Sequence, residues 1–493
     1  MRKMKKILLC GSLVLVAGLC VGGFASCGSG GESETPENEL VWDFEDCGDY
    51  VALHGVYYMY GTPEVEEELE IPSEWNGLPV KQIGSGTGSI ISSASFTKVV
   101  IPNTVETVAA NAFMHVDEEI VFGGSEKTIG EGAFKQYQGD SIVIPDSVET
   151  LGDAVFNGGE MKNIVLGDGV SSIGEDAFEG CTQLLSITIG ESVREALSLR
   201  DSNKLVEIYN KSSHFTLTVG EYGTMAANVR EVCTENYQTK ISKKGDFYMY
   251  SDKDAGLELL VAYYGMEKDV VLPAETTEIN RYAFRDLLYG QHITNVTIGD
   301  NVKRIGEQAF GYMRTLTHVT VGKSVEGIGK DAFVGNMKLV EIYNRSDMEI
   351  IRGVDSDLNG HIAQYARNVY GEGEQSRIQV IDDWQYYVEG DAKVLLDYVG
   401  ADDIGDFVVG SDVVEIAPYA LFNRELASLF VPKTVTSFGR NAVMNSTQYV
   451  YFESNETTRD DSLDYKYYFY SEEQPTGEGQ FWHYVNGVPT VWE

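Results

Sequence analysis

The 493-residue chain carries 76 acidic against 37 basic side chains, a formal charge of −39, which excludes nucleic acid as a natural partner and disfavours direct adsorption to anionic lipid. Its length allows several domains or one long repeat array. Past residue 27 the cysteines are Cys47, Cys181 and Cys233, too widely spaced for a disulfide framework or a metal-type pairing.

In chain order, Arg2, Lys3, Lys5 and Lys6 precede a run from Ile7 to Leu19 that is apolar or small apart from Cys10 and Ser12. This is the anatomy of a secretory leader, too short and too rich in small residues for a membrane-spanning helix. It runs into Phe24-Ala25-Ser26-Cys27, which resembles the lipobox of bacterial lipoprotein signals. The resemblance implies cleavage after residue 26 and a lipid on Cys27; Phe24 stands where that family usually has Leu. A plain leader cleaved elsewhere is the alternative, and Cys20 fits less well beside Leu19. Loss of the leader's four basic residues takes the charge from −39 to −43. The small, acidic stretch GSGGESETPENE that follows reads as a flexible tether. No later stretch approaches the ~20 apolar residues needed to span a bilayer.

Beyond the tether the chain repeats itself. VAANAF, IGEGAF, LGDAVF and IGEDAF end at Phe113, Phe134, Phe156 and Phe178, steps of 21, 22 and 22 residues. The pattern returns at Phe284, Phe310 and Phe333, and in degraded form at Leu421 and Val443. Each unit adds a β-branched run closed by a turn, as in SIVIPDSV (Ser141 to Val148) and NVTIGDNV (Asn295 to Val302). One such strand cannot bury its own apolar face, but stacked copies share a core in which the Phe residues form a ladder. Gly130, Gly152, Gly174, Gly306 and Gly329 mark sharp turns with no room for a side chain.

A longer period lies on top. KLVEIYNKS (Lys204 to Ser212) recurs as KLVEIYNRS (Lys338 to Ser346), 134 residues later. Each is followed by a stretch without the Phe ladder and then by an aromatic hairpin, DFYMYSDKDAGLELLVAYYG or DWQYYVEGDAKVLLDYVG; GVYYMYGTPEVEEELEIP (Gly55 to Pro72) reads as the same hairpin leading into the first repeat.

IGEDAFEGCTQL (Ile173 to Leu184) resembles, along its whole length, the type 5 leucine-rich repeat of BspA-like bacterial surface proteins. The resemblance covers roughly residues 70 to 215, 270 to 346 and 410 to 455. It implies a β-rich α/β solenoid: a curved leucine-rich-repeat array with a parallel concave sheet, irregular or short helical turns on the convex side, and β-hairpin insertions. It also implies extracellular display and adhesion, and supplies no catalytic residues. The expected organisation is a leader at 1–26, a tether at 27–40, an entry hairpin with a first repeat block at 41–215, an insertion at 216–270, a second block at 271–346, an insertion at 347–408, a third block at 409–455, and an aromatic C-terminal cap at 456–493.

No chemistry asserts itself. The seven His show no HExxH or HxH spacing, and there is no GxSxG elbow. Gly84-Ser85-Gly86-Thr87-Gly88 lacks phosphate-loop spacing and reads as a loop variation in an early repeat. Cys181 reads as a small core thiol, and a bridge between Cys47 and Cys233 stays open. Asp355-Ser356-Asp357-Leu358-Asn359-Gly360 has the start of a calcium loop, with Asp355, Asp357 and Asn359 as weak candidate ligands. Its twelfth position is Ala366, so the bidentate Glu is missing and a polar turn is the competing account. No cofactor is implied.

The expected function is therefore non-catalytic: a lipid-anchored, extracytoplasmic surface protein that binds an extracellular protein or glycan and touches the membrane through its anchor alone. An enzyme or enzyme accessory working through the insertions, and a structural envelope protein without a ligand, are the alternatives. Strand alternation places one outward column at Val100, Val143, Val165, Thr188 and Tyr209, a second at Thr297, Thr320 and Tyr343, and a third at Phe430. The preceding outward position is Glu207, Glu341 and Ser428. Tyr209, Tyr343, Phe430, Glu207 and Glu341 are thus the candidate ligand-binding residues, since exposed aromatics beside polar groups suit recognition. The competing expectation is that Tyr209 and Tyr343 pack under the insertion that follows each of them.

Overall fold

The computed structural model describes residues 40–492, leaving out 59–66, 92–95, 117–118, 200, 222–223, 235–236, 286–291, 401–402, 447–448, 460–465, 477–479 and 486–487. Each repeat contributes not one strand but two. The longer one, such as Ser141–Val143, Asn163–Val165, Ser186–Ile189 and Glu207–Asn210, pairs in parallel with its neighbours and builds the expected sheet. The second has two residues, as in Thr128–Ile129, Thr150–Leu151 and Ser172–Ile173, and forms its own parallel ladder. Turns join the two ladders, as the expected irregular or short helical turns allowed, and the described residues contain no α-helix. A two-residue strand is too short to show alternation, which is why the second ladder escaped notice.

The ladder of rings stands as expected. Phe113, Phe134, Phe156 and Phe178 stack at centroid distances of 5.5, 6.0 and 5.5 Å, and Phe284, Phe310 and Phe333 at 4.7 and 5.0 Å. All are buried. Cys181 is buried beside them, its thiol donating to the Phe156 carbonyl at 3.2 Å. Gly152 and Gly174 have no room for a side chain because successive coils touch. A Cβ there would lie 2.4 Å from the Glu131 amide nitrogen or 2.3 Å from that of Asp153.

Each block begins with an antiparallel hairpin whose second strand is also the first rung of the short ladder. Leu40–Asp46 pairs with Val51–Tyr58, Phe247–Asp252 with Leu257–Tyr263, and Trp384–Glu389 with Ala392–Tyr398. The second strands then run parallel to the ladder through Leu53↔Ile83, Leu260↔Ile279 and Leu395↔Ile416. Tyr263 even takes a Phe-ladder position, stacking on Phe284 at 5.3 Å. The first hairpin lies earlier than its aromatic residues suggested: Gly55–Tyr58 ends its second strand, and Glu67–Glu70 already pairs in parallel with Phe96–Val100. The remainder of that expectation, residues 59–66, lies outside the described residues. GVYYMY resembles FYMY in composition, but the turn is made upstream by Cys47 to Tyr50.

Three apolar cores follow the three blocks, and KLVEIYN joins them. Leu205 and Leu339 face the core of their own block. Their neighbours Val206 and Val340 pack instead against the next hairpin, Val206 with Tyr250, Leu259 and Val261, and Val340 with the core that contains Tyr387 and Leu395.

Candidate binding face and a histidine–aspartate cluster

The outward columns form in the expected register. Val143, Val165, Thr188 and Tyr209 are successive partners, as are Thr297, Thr320 and Tyr343. The structure extends each one: Cys233 follows Tyr209, Tyr370 follows Tyr343, and Tyr451 and Tyr468 follow Phe430. Val100 belongs to a separate three-stranded sheet with Glu67–Glu70 and Glu119–Val121.

Glu207 and Glu341, expected to be exposed, are both fully buried. Alternation placed them correctly on the outer face, but the chain returns and covers them. The Tyr237 hydroxyl donates to Glu207, as do the Thr239 hydroxyl and the Lys240 amide, each at 2.7 Å. Glu341 accepts from the Tyr370 hydroxyl at 3.0 Å, and from the Ser376 hydroxyl and the Arg377 amide, each at 2.7 Å. A carboxylate so supplied with donors is satisfied by the protein itself. These bonds fasten Thr239-Lys240-Ile241 and Ser376-Arg377-Ile378, the lead-in to each following hairpin. Ser428 is also buried, where its hydroxyl donates to Asp406.

Other residues of the repeated segment complete the clasp. Asn210 and Asn344 accept from the amides of Ser212 and Ser346, each at 3.1 Å, and donate to the carbonyls of Phe215 and Met348. Lys338 is buried 3.4 Å from Asp397 of the third hairpin; burial lowers its pKa against the pull of that carboxylate. Lys204 instead donates to Gln183 at 2.7 Å and lies 4.9 Å from the Tyr264 ring.

Tyr209 and Tyr343 are half-buried. Tyr209 stacks on Tyr237 at 5.1 Å and Tyr343 on Tyr370 at 5.0 Å, rings of the segment that follows each block. This is the competing arrangement. Phe430 differs. It opens a row of half-buried rings, stacking on Tyr451 at 4.8 Å, which stacks on Tyr468 at 5.3 Å. Trp482 is buried edge-on against Phe430 and Tyr451, anchored by its indole N–H to the Phe452 carbonyl at 3.0 Å. Tyr470 and Tyr484 flank it, 39% and 49% exposed. The alternation of YVYF and YKYYFY was a signal for Tyr451 and Tyr468, which the expected organisation puts in the third block and in the aromatic cap respectively.

Asp355, Asp357 and Asn359 do not form a calcium-type loop around one another. Asp357–Asn359 is a 3-10 turn capped by Ser356 and ended by left-handed Gly360, and Asn359 is buried. Both carboxylates meet His361 instead, where Asp331 joins them. Partial burial opposes charging of that imidazole, but Asp355 and Asp331 outweigh it and its pKa is raised. His361 and Asp331 were missed because they lie 30 residues apart with no local motif.

Cys47 and Cys233 are free thiols, not a bridge. Burial and the Glu231 carboxylate push Cys233 up to about 11, and burial pushes Cys181 up to about 12, so neither is a ready nucleophile. A cavity of about 340 Å³ lies between Ser171–Phe178 and Val193–Ser198. Cys27 lies outside the described residues, among which no helix is long and apolar enough to cross a membrane.

Residues 88–199 and 262–353 match the BspA type leucine rich repeat region, in six copies. No curated protein matches the chain. Among solved structures the chain is similar to the pneumococcal vaccine antigen PcpA, with 16% identity over 88% of this chain and 93% of the other, at a TM-score of 0.28. A leucine rich cell surface protein from Faecalibacterium prausnitzii has 18% identity over 70% and 97%, at 0.27. A leucine-rich repeat protein from Bacteroides ovatus has 14% over 88% and 99%, at 0.26. Over these two segments the chain carries leucine-rich repeats of the BspA type.

Proposed function

We propose that the chain is a non-catalytic surface protein, held to the membrane by a lipid on Cys27, which binds an extracellular protein or glycan through the outer face of its third block. The observation that carries this reading is the row Phe430, Tyr451 and Tyr468, with Tyr470 and Tyr484 exposed at its edge. Rings of this kind offer large contact area at low entropic cost, with hydroxyls to orient a ligand. In the first two blocks the corresponding tyrosines sit beside carboxylates already committed to the chain's own lead-in segments. The family is typically found at the cell surface, which agrees with the leader and its lipobox-like end.

Pull-down from extracellular matrix and mucus, run beside a hydrolase panel, tests the class of function. Capture by the wild type that Tyr468→Ala abolishes supports the binding face; turnover of a polymer in the panel favours the enzyme alternative. Failure of both leaves a structural envelope protein. The anchor is tested separately, since Cys27→Ser should move the protein out of the detergent phase.

A further inference from the structure

The cluster at His361 joins two parts of the chain that the repeat itself does not connect. Asp331 comes from IGKDAF in the second block, at a left-handed residue with φ of 55°. Asp355, Asp357 and His361 come from the insertion that closes over that coil. The closure is tight: the Phe333 amide donates to the Gly360 carbonyl at 2.8 Å, and a Cβ on Gly360 would lie 2.5 Å from the Gly329 oxygen.

His361 Nε2 lies 2.9 Å from Asp331 Oδ1 and 2.8 Å from Asp357 Oδ1, while Nδ1 bonds Asp355. Three carboxylates thus surround one imidazole. If the Nδ1 proton is donated to Asp355, the Nε2 lone pair faces two carboxylate oxygens and a cation between them satisfies all three. The donor atoms of Asp331, Asp357 and His361 all lie within 4.8 Å of one another, close enough that a small side-chain adjustment gives bonds of about 2.0–2.2 Å to one ion. The ring is largely buried, whereas Asp357 remains open to solvent and gives an ion a way in. In the same turn Asn359 is 7% exposed and its Oδ1 has no hydrogen-bond partner, so that turn also carries a buried oxygen donor left unused.

We propose that Asp331, Asp357 and His361 form a site for one zinc-class divalent cation, oriented by Asp355, which fastens the second insertion to the second block. An imidazole in the donor set favours zinc-class ions over calcium or magnesium. The Asp355 contact is the carboxylate–histidine arrangement that fixes ring orientation and raises ligand basicity in metal sites. This assignment is independent of the outer-face reading.

The test is titration of the tag-free mature chain with zinc chloride, in a Cys47→Ser background that removes the exposed thiol, with calcium and magnesium chlorides in parallel. One equivalent of zinc should bind, and Asp355→Asn should weaken it about 10–100-fold. His361→Ala and Asp357→Asn should weaken it further. Asp357 is exposed, so Asp357→Asn should keep the wild-type circular dichroism spectrum while losing the zinc-dependent rise in melting temperature. Zinc affinity unchanged in all three variants, no zinc binding by the wild type, or calcium bound in preference to zinc would each overturn the proposal.

Discussion

The outer columns of the first two blocks and that of the third begin alike and end differently. All three open with an exposed valine, Val143, Val271 or Val408, and all three reach an aromatic. In the first two the aromatic is followed by a lead-in segment that bonds to a buried glutamate, so the end of the column becomes the joint to the next hairpin. Among the described residues, the third block is followed by no hairpin that leads into a further short ladder. Its column continues as Phe430, Tyr451 and Tyr468 and ends in the Trp482 cluster, with two tyrosines left open. One sequence position is therefore followed by a joint twice and by a row of rings once, and what distinguishes the cases is the chain that comes next.

The largest effect should come from the apolar core inside a block. Phe178→Ala should cost about 3–5 kcal/mol through lost burial and a cavity, and disturb the adjoining repeats; a melting curve like that of the parent would break the assigned phase. Glu207→Gln keeps the shape of the clasp but removes the charge that three donors share. It should cost about 1–3 kcal/mol in urea unfolding, and an unchanged midpoint would make Glu207 no joint at all. Tyr451→Ala, on the half-buried third face, should cost at most about 1–2 kcal/mol, so a loss of ligand capture exceeding the loss of stability sharpens the contrast with Tyr209→Ala.

The smallest effect concerns pH. Burial pushes the Glu231 carboxyl up, but hydrogen bonds from Lys240, Cys233 and Tyr250 outweigh it and hold its pKa below the ordinary 4.5. A depressed folded pKa adds stability above the ordinary value, and that contribution is lost as pH falls through the folded one. Glu231→Gln should therefore flatten the acid limb of the stability profile by less than about 1 kcal/mol. An acid limb identical to wild type would show that the Lys240 contact contributes nothing.

Legibility in the sequence followed the range of the contacts. The Phe ladder, the coil period, the close-approach glycines and the column register depend on neighbours one coil away, and periodicity reports these well. The second ladder was hidden because Thr150-Leu151 is too short to alternate. Glu207 and Glu341 were assigned to the correct face and the wrong environment, since alternation says which way a side chain points and nothing about what later covers it. Thr239-Lys240-Ile241 and Ser376-Arg377-Ile378, 137 residues apart, were the available sign that the two glutamates hold equivalent partners. The His361 cluster joins two separate turns, so spacing could find only its insertion half, Asp355 and Asp357.

Because KLVEIYN joins the repeat blocks, they should unfold as one body, and scanning calorimetry of Glu341→Ala tests this coupling. Removing that carboxylate strands the Tyr370 and Ser376 hydroxyls and the Arg377 amide, and frees the lead-in to the third block. The wild type should melt in one transition. The variant should show a second, earlier one, in which the fluorescence of Trp384 and Trp482 changes while the first block stays folded. A variant that still melts in a single transition at the wild-type temperature would show that Glu341 does not couple the blocks.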